Sequence, residues 1–157
     1  MSITESELTA ARSGWGDGLI AISRAFEEGG IESARHVAER VLDGGYGYDL
    51  GPVLFKPTMA SGAQTFRPTR QGALSYFVGH DADYPLDSGF GINGWREMRS
   101  ETAAIFIDGD VAMWMGSVML TDKDGQTTRV DKSWGYKKDA VGTLRNVLHH
   151  SSLPYQP

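Results

Sequence analysis

Apolar residues recur at steps of three and four along the first part of the chain, a spacing typical of an amphipathic helix. The stripe is formed by Leu8, Ala11, Trp15, Leu19, Ile22 and Phe26. Thr4 and Glu7 make a capping-box pattern at its start, and Gly29-Gly30 predicts its end. A shorter stripe over residues 31–42, followed by Gly44-Gly45, predicts a second helix.

Short elements follow these helices. The apolar run Gly51–Ala60 predicts a brief strand that ends at Pro57, and Thr69 is placed to cap a third helix that runs to Gly79. Polar and turn-forming residues place the segment Gly79–Gly89 outside regular structure.

Beyond Phe90 the pattern changes to β-rich runs separated by hairpin signals such as Asp108-Gly109 and Asp124-Gly125. The predicted strands are Ala103–Asp108, Val111–Thr121, Thr127–Lys137 and Thr143–Ser152. The segment Gly89–Glu101 is too polar for strand limits to be assigned. Helices followed by an antiparallel meander predict an α+β domain, in which the helices cover one face of a curved sheet and leave a cavity.

Composition narrows the possible partners. At 157 residues with 40% hydrophobic content, the chain predicts a single domain over residues 1–157. The net charge of -5 argues against a nucleic-acid partner, and the absence of cysteine excludes thiolate nucleophiles and disulfides. The N-terminal region is acidic and has no continuous apolar run, so we expect no membrane association. We expect a cytoplasmic protein, or one in the plastid stroma if a targeting segment has been removed.

The segment HHSSLPY, His149–Tyr155, places adjacent polar groups on the last predicted strand. Because side chains alternate across a strand, His149 and Ser151 share one face, while His150 and Ser152 share the other. Residues i and i+2 of a strand have Cα atoms about 7 Å apart, so each face carries one imidazole, a proton acceptor, near one serine hydroxyl. A purely structural role is the alternative, since buried His and Ser side chains are usually hydrogen-bonded to neighbours.

A histidine-based metal site is disfavoured by spacing. The only histidines are His36, His80, His149 and His150, with no His-x-His pair, whereas catalytic zinc usually takes three protein ligands. The acidic loop after His80 offers a loose oxygen-rich cation site as a minor alternative, although acidic loops are mostly solvated. We therefore expect no metal and no other cofactor.

Three segments taken together resemble a known family: VLFKPTMA at Val53–Ala60, ALSYFVG at Ala73–Gly79, and HHSSLPY at His149–Tyr155. With the order of helices and meander, the chain resembles the cone-shaped NTF2-like superfamily, in the branch of the calcium/calmodulin-dependent kinase II association domain. Within that branch it is most similar to the iota-class carbonic anhydrases. The resemblance extends over nearly the whole chain, and the HHSS-Leu-Pro segment is its most specific part.

The resemblance implies a site and a reaction. It assigns the bicarbonate site to Thr58, Tyr76, His149 and Ser151, and it implies reversible hydration of carbon dioxide without a metal. In this hypothesis His149 takes the proton from an attacking water, while the three hydroxyl groups donate to oxygens on which negative charge grows. Apolar residues of the helices, Trp15 or Phe77, are expected to host carbon dioxide.

Other functions found in the same superfamily stay open as alternatives. Related cones include isomerase-like enzymes and small-molecule binders, which commonly use an Asp-His pair, and non-catalytic assembly domains. The resemblance also implies a homodimer that packs sheet against sheet. We expect outward-facing rows of Met, Trp and Val on the long strands to supply its interface. Met113, Met115 and Met119 alternate with Trp114 and Val118 in this region.

Overall fold

The long N-terminal helix is interrupted by one glycine. In a computed structural model, which describes residues 2–157, helix α1 spans Glu5–Gly45 and begins with the capping box expected at Thr4 and Glu7. Gly30 alone leaves the helical conformation, with φ of 76°, a left-handed value that glycine adopts without a Cβ penalty. The prediction of two consecutive helices is confirmed, with Gly30 as the break between them. None of the described helices is long and apolar enough to span a membrane.

Helix α2 and a five-stranded sheet complete the domain. Thr69 caps α2, which spans Arg70–Val78, by accepting a hydrogen bond from the Gly72 amide. The strands are β1 Leu54–Lys56, β2 Trp95–Asp108, β3 Val111–Asp122, β4 Thr127–Lys138 and β5 Leu144–Ser152. Strands β2 to β5 form the expected antiparallel meander.

Two features of the sheet were not expected. Strand β1 pairs with β5 in parallel, and the strand order is β1-β5-β4-β3-β2. Strand β2 begins at Trp95, within the polar segment for which no strand limits were assigned. Its polar residues are tolerated because β2 is an edge strand with a largely exposed outer face. The added parallel strand brings the segment after β1 next to the HHSS motif of β5.

The core lies between α1 and the inner face of the sheet. Trp114 and Val118 are buried there, so the expectation of outward-facing Trp and Val is wrong for these two residues, whereas Val111 is exposed. Trp114 donates to Thr102 Oγ1 at 2.8 Å and packs against Trp134. Residue alternation leaves Met113 and Met115 on the outer face, whereas Met119 is buried.

Candidate active site

Strand β5 places His149 and Ser151 on its buried face, as the alternation rule predicts. Both side chains are inaccessible to solvent, whereas His150 on the opposite face is exposed. The His149 ring stacks on Phe55 with a centroid separation of 4.6 Å, because the two residues are register partners in the parallel β1–β5 pair. The imidazole therefore lies in an aromatic enclosure, to which Trp134 contributes a second wall at 5.2 Å.

Thr58 meets Ser151 just beyond the end of β1, and Tyr76 lies beside Thr58. The Thr58 and Ser151 hydroxyl oxygens are 2.5 Å apart, so one donates to the other. Tyr76, on α2, accepts a hydrogen bond from the Met59 amide at 3.2 Å, one residue beyond Thr58. Burial raises the pKa of Tyr76, which keeps the phenol in its protonated, hydrogen-donating form. Thr58 is thus in direct contact with Ser151, and Tyr76 reaches the residue next to Thr58.

Lys132 connects the hydroxyl groups to His149. Its Nζ atom lies 2.8 Å from His149 Nε2 and 3.0 Å from Ser151 Oγ. The side chain is almost completely buried, and the amine also lies 4.8 Å from the centre of the Trp15 ring. Burial, together with the positive charge of Lys56, lowers the pKa of Lys132 to about 7. A substantial fraction of this amine is therefore neutral near neutral pH.

Lys132 is not among the predicted site residues, although the sequence pattern of β4 contains one signal of its role. Residues Val130, Lys132 and Trp134 alternate along β4, and all of them are buried. A lysine at the centre of such an apolar row faces the core, where lysine is rarely found without a partner. A lysine at that position is therefore a candidate for a functional role.

The other nitrogen of His149 is engaged by Tyr46, which follows α1 directly. Tyr46 Oη lies 2.8 Å from His149 Nδ1 and accepts a hydrogen bond from Trp15 Nε1 at 3.0 Å. Burial, then the charges of Lys132 and His150, lowers the pKa of His149 well below its usual value. Both ring nitrogens are thus hydrogen-bonded to protein side chains. No sequence pattern predicts the Tyr46 contact.

A cavity of about 200 Å³ opens beside the hydroxyl groups. Its lining includes Thr58 and Tyr76 together with the apolar side chains of Met59, Phe90, Trp95 and Leu153. Trp15 and Phe77, which were expected to host carbon dioxide, are not among its lining residues. Trp15 packs beside Lys132 and His149 instead, and Phe77 is buried against Phe55. Polar side chains, among them Asp87 and Asn93, complete the wall of this cavity. Ser151 and His149 are not among its lining residues, and Ser151 is connected to the cavity through Thr58.

Potential metal ligands are dispersed. Within residues 2–157, no group of three or more His, Asp or Glu side chains is arranged to hold a metal ion. His80 Nδ1 is hydrogen-bonded to the Val78 carbonyl oxygen, and Gln71 donates to both Asp81 and Asp83. The acidic loop is thus held by protein contacts, and His36 lies far along α1 in sequence from the other histidines.

Comparison with known proteins identifies the family. Residues 6–153 match the family model described as metal-independent carbonic anhydrase. The chain belongs to the metal-independent carbonic anhydrase family. A metal-independent carbonic anhydrase of Nostoc sp. is 53% identical over 155 residues, which cover 99% of this chain and 76% of that protein.

Solved structures agree with this assignment. The iota-carbonic anhydrase from a cyanobacterium, crystallised with bicarbonate, has a TM-score of 0.98 and 52% identity, with 99% of this chain and 95% of that chain covered. A putative calcium/calmodulin-dependent protein kinase II association domain from Xanthomonas campestris has a TM-score of 0.60 and 19% identity, covering 96% and 88%. A putative dehydratase of the NTF2-like family from Streptomyces avermitilis has a TM-score of 0.52 and 14% identity, covering 96% of each chain. These two likenesses show the fold alone, and the second confirms the expected NTF2-like fold.

Proposed function

We propose that this carbonic anhydrase hydrates carbon dioxide reversibly at the cavity lined by Thr58 and Tyr76. Family membership supports the reaction, and the 2.5 Å contact between Thr58 and Ser151 at the wall of this cavity supports the location. The bicarbonate bound by the similar cyanobacterial enzyme fits the same proposal, since a three-oxygen anion requires several donors. We therefore assign substrate binding to Thr58 and Tyr76, which line the cavity. Ser151 and His149 lie behind them and act on the substrate only through hydrogen bonds between side chains.

Each polar group has a distinct part in the reaction. The oxygen of a water molecule attacks the carbon of carbon dioxide, and negative charge grows on the carbon dioxide oxygens. The hydroxyl group of Tyr76, held at the cavity wall, donates to these oxygens. The water loses a proton, which passes through Thr58 and Ser151 to the buried side chains of Lys132 and His149.

Fixed donors offer a physical alternative to a metal ion here. A metal ion stabilises developing negative charge as a Lewis acid. Hydroxyl groups held by packing provide similar stabilisation at no reorganisation cost, and removal of one such donor typically lowers the rate by about 10²–10³-fold. The apolar side chains of Phe90 and Trp95 suit carbon dioxide, which has no charge to anchor.

Stopped-flow carbon dioxide hydration tests the proposal directly. We expect the purified enzyme to be active, and to stay active after prolonged treatment with a strong chelator. Tyr76→Phe removes one donor from the cavity wall and should lower the rate by about 10²-fold or more, and His149→Ala should also remove most activity. As a matched control, Tyr84→Phe changes a tyrosine on the neighbouring loop that does not line this cavity, and should leave the rate unchanged. An inactive wild-type protein, or a Tyr76→Phe variant as active as wild type, would contradict the proposal.

We also propose that two copies associate through the outer faces of β2 and β3. Phe106, Met113 and Met115 are 61%, 45% and 57% exposed on this face, and Phe106 and Met113 are register partners. An apolar patch of this kind on adjacent strands suits a self-complementary interface with a second copy. Light scattering of the purified protein, compared with a Met115→Asp variant, tests this dimer.

A further inference from the structure

Hydrogen-bond roles around His149 can be worked out from its neighbours. Trp15 Nε1 is always a donor, so the hydrogen bond of 3.0 Å to Tyr46 Oη uses the phenol oxygen as acceptor. Within residues 2–157, the other hydrogen-bond partner of Tyr46 Oη is His149 Nδ1. The buried phenol proton is satisfied only if Tyr46 donates to Nδ1, because an unpaired buried hydroxyl is costly. His149 Nδ1 is then an acceptor, without a proton of its own.

The tautomer of His149 follows, and it determines the state of Lys132. A neutral imidazole without a proton on Nδ1 carries it on Nε2. Nε2 lies 2.8 Å from Lys132 Nζ, so the N–H group must donate to the amine. Only an uncharged amine has a lone pair to accept this hydrogen bond, because an ammonium group has three donors and no acceptor.

From this geometry we propose that Lys132, held as a neutral amine by His149, is the group that takes up the proton released in hydration. This inference rests on the proposed function and refines it. His149 then serves as a positioning residue, since its N–H group faces the amine and disfavours the ammonium form. The neighbours of Lys132 suit an uncharged resting state, because neither hydrogen-bonding partner of Nζ is a carboxylate.

The proton balance is complete within the described groups. As the new carbon–oxygen bond forms, an O–H bond of water breaks and its proton passes to the Thr58 hydroxyl. Thr58 gives its own proton to Ser151 at 2.5 Å, and Ser151 gives its proton to Lys132 at 3.0 Å. Rotation about the Cε–Nζ bond turns the amine lone pair from His149 toward Ser151. The products are bicarbonate and a lysine ammonium, which later loses its proton to solvent.

Charged and titratable groups around Lys132 set the expected pH dependence. Strand β1 presents Lys56, whose Nζ donates to the Ser151 carbonyl oxygen at 2.9 Å, and β5 presents His149. The α1 side presents Trp15 and, through His149, the neutral Tyr46. Burial and the charge of Lys56 lower the pKa of Lys132 to about 7. Since the neutral amine is the active form, kcat/KM should rise as the pH increases through this value.

Two variants and one spectroscopic measurement test the inference. Lys132→Met keeps an unbranched apolar stem between the Trp15 and Trp134 rings, and it should lower kcat/KM by about 10²–10⁴-fold, the usual contribution of a general base. Lys56→Met removes the charge that opposes protonation of Lys132, so the inflection of the pH profile should move to higher pH while the plateau rate is kept. The Lys56 variant remains informative even if Lys132→Met fails to fold.

Nitrogen-15 NMR of the histidine rings gives a readout that does not depend on activity. We expect His149 in the wild-type protein to carry its proton on Nε2 and not on Nδ1. A proton on Nδ1, a Lys132→Met variant as active as wild type, or an unmoved inflection in Lys56→Met would each overturn the inference. If the wild-type protein hydrates no carbon dioxide, the proposed function fails instead, and the NMR measurement still decides the state of Lys132.

Discussion

The substitution Tyr46→Phe removes a single oxygen atom from the centre of the buried network. Tyr46 is 1% exposed, and its hydroxyl group accepts from Trp15 Nε1 and contacts His149 Nδ1. The substitution leaves a buried donor and a buried acceptor without partners. Each unpaired group costs about 1–3 kcal/mol, so we expect the free energy of unfolding to fall by about 2–6 kcal/mol.

Tyr48→Phe provides a matched control. Tyr48 stacks on Tyr46 with ring centroids 6.1 Å apart, and its hydroxyl group donates to the Arg67 carbonyl oxygen at 2.8 Å. Only one acceptor loses its partner, in a less buried setting, so this substitution should cost about 0.5–1.5 kcal/mol. Urea unfolding, followed by tryptophan fluorescence and circular dichroism, measures both losses on the same scale.

Equal losses in the two variants would refute the reasoning, because they would show that the Tyr46 hydroxyl group does no more than an ordinary hydrogen bond. The hydration rate gives a second comparison. Tyr46→Phe frees His149 to exchange its proton between ring nitrogens, whereas Tyr48→Phe leaves the His149 contacts intact. We therefore expect a lower rate in Tyr46→Phe only, measured at a temperature at which both variants are fully folded.

Three further predictions concern stability and assembly. Asp87→Asn breaks the bidentate buried pair with Arg67, in which both distances are 2.7 Å, and should cost about 3–5 kcal/mol in thermal unfolding. Burial raises the pKa of Asp87, but the hydrogen bonds from Arg67 and Ser75 outweigh burial and lower this pKa overall. The stabilisation by the pair is therefore present at neutral pH, and an acid titration should show it being lost as the pH falls through the lowered pKa. Gly116→Ala places a Cβ against a backbone carbonyl and the inner-face indole of β3, and should cost about 1–3 kcal/mol in the same assay. Met115→Asp puts a charge on the exposed face of β2 and β3, and should convert the proposed dimer to a monomer in light scattering without loss of folded structure.

Local sequence patterns were sufficient to predict most of the helices and strands, and the strand face that His149 and Ser151 share. The capping box at Thr4 and the alternation that buries His149 and Ser151 depend on residues within a few positions of one another. Such features follow from helix and strand geometry alone. The Tyr76 and Thr58 assignments depend on the resemblance, and the spacing of residues does not predict the contact of Thr58 with Ser151 on β5.

The missing part of the site depends on contacts between distant segments. Lys132 meets His149 only because β4 and β5 pair in a register that places Lys132 opposite Ser151 and Trp134 opposite His149. No local rule gives that register, and lysine is ordinarily expected at the surface. Tyr46 is equally remote in sequence, since it reaches the imidazole from the end of α1. Pairings of this kind become visible only in the folded chain.

The same burial has opposite consequences for the two nitrogen bases of the site. An unperturbed histidine has a pKa of about 6.5, so desolvation takes His149 out of the range in which it can accept a proton at neutral pH. An unperturbed lysine has a pKa of about 10.4, so desolvation brings Lys132 into that range, to about 7. The enclosure of aromatic rings therefore makes Lys132 the effective base, and the imidazole of His149 orients the lone pair of the Lys132 amine. A Lys132→His variant should therefore be as inactive as Lys132→Met in stopped-flow carbon dioxide hydration, although an unperturbed histidine accepts protons more readily than a lysine does at neutral pH in water.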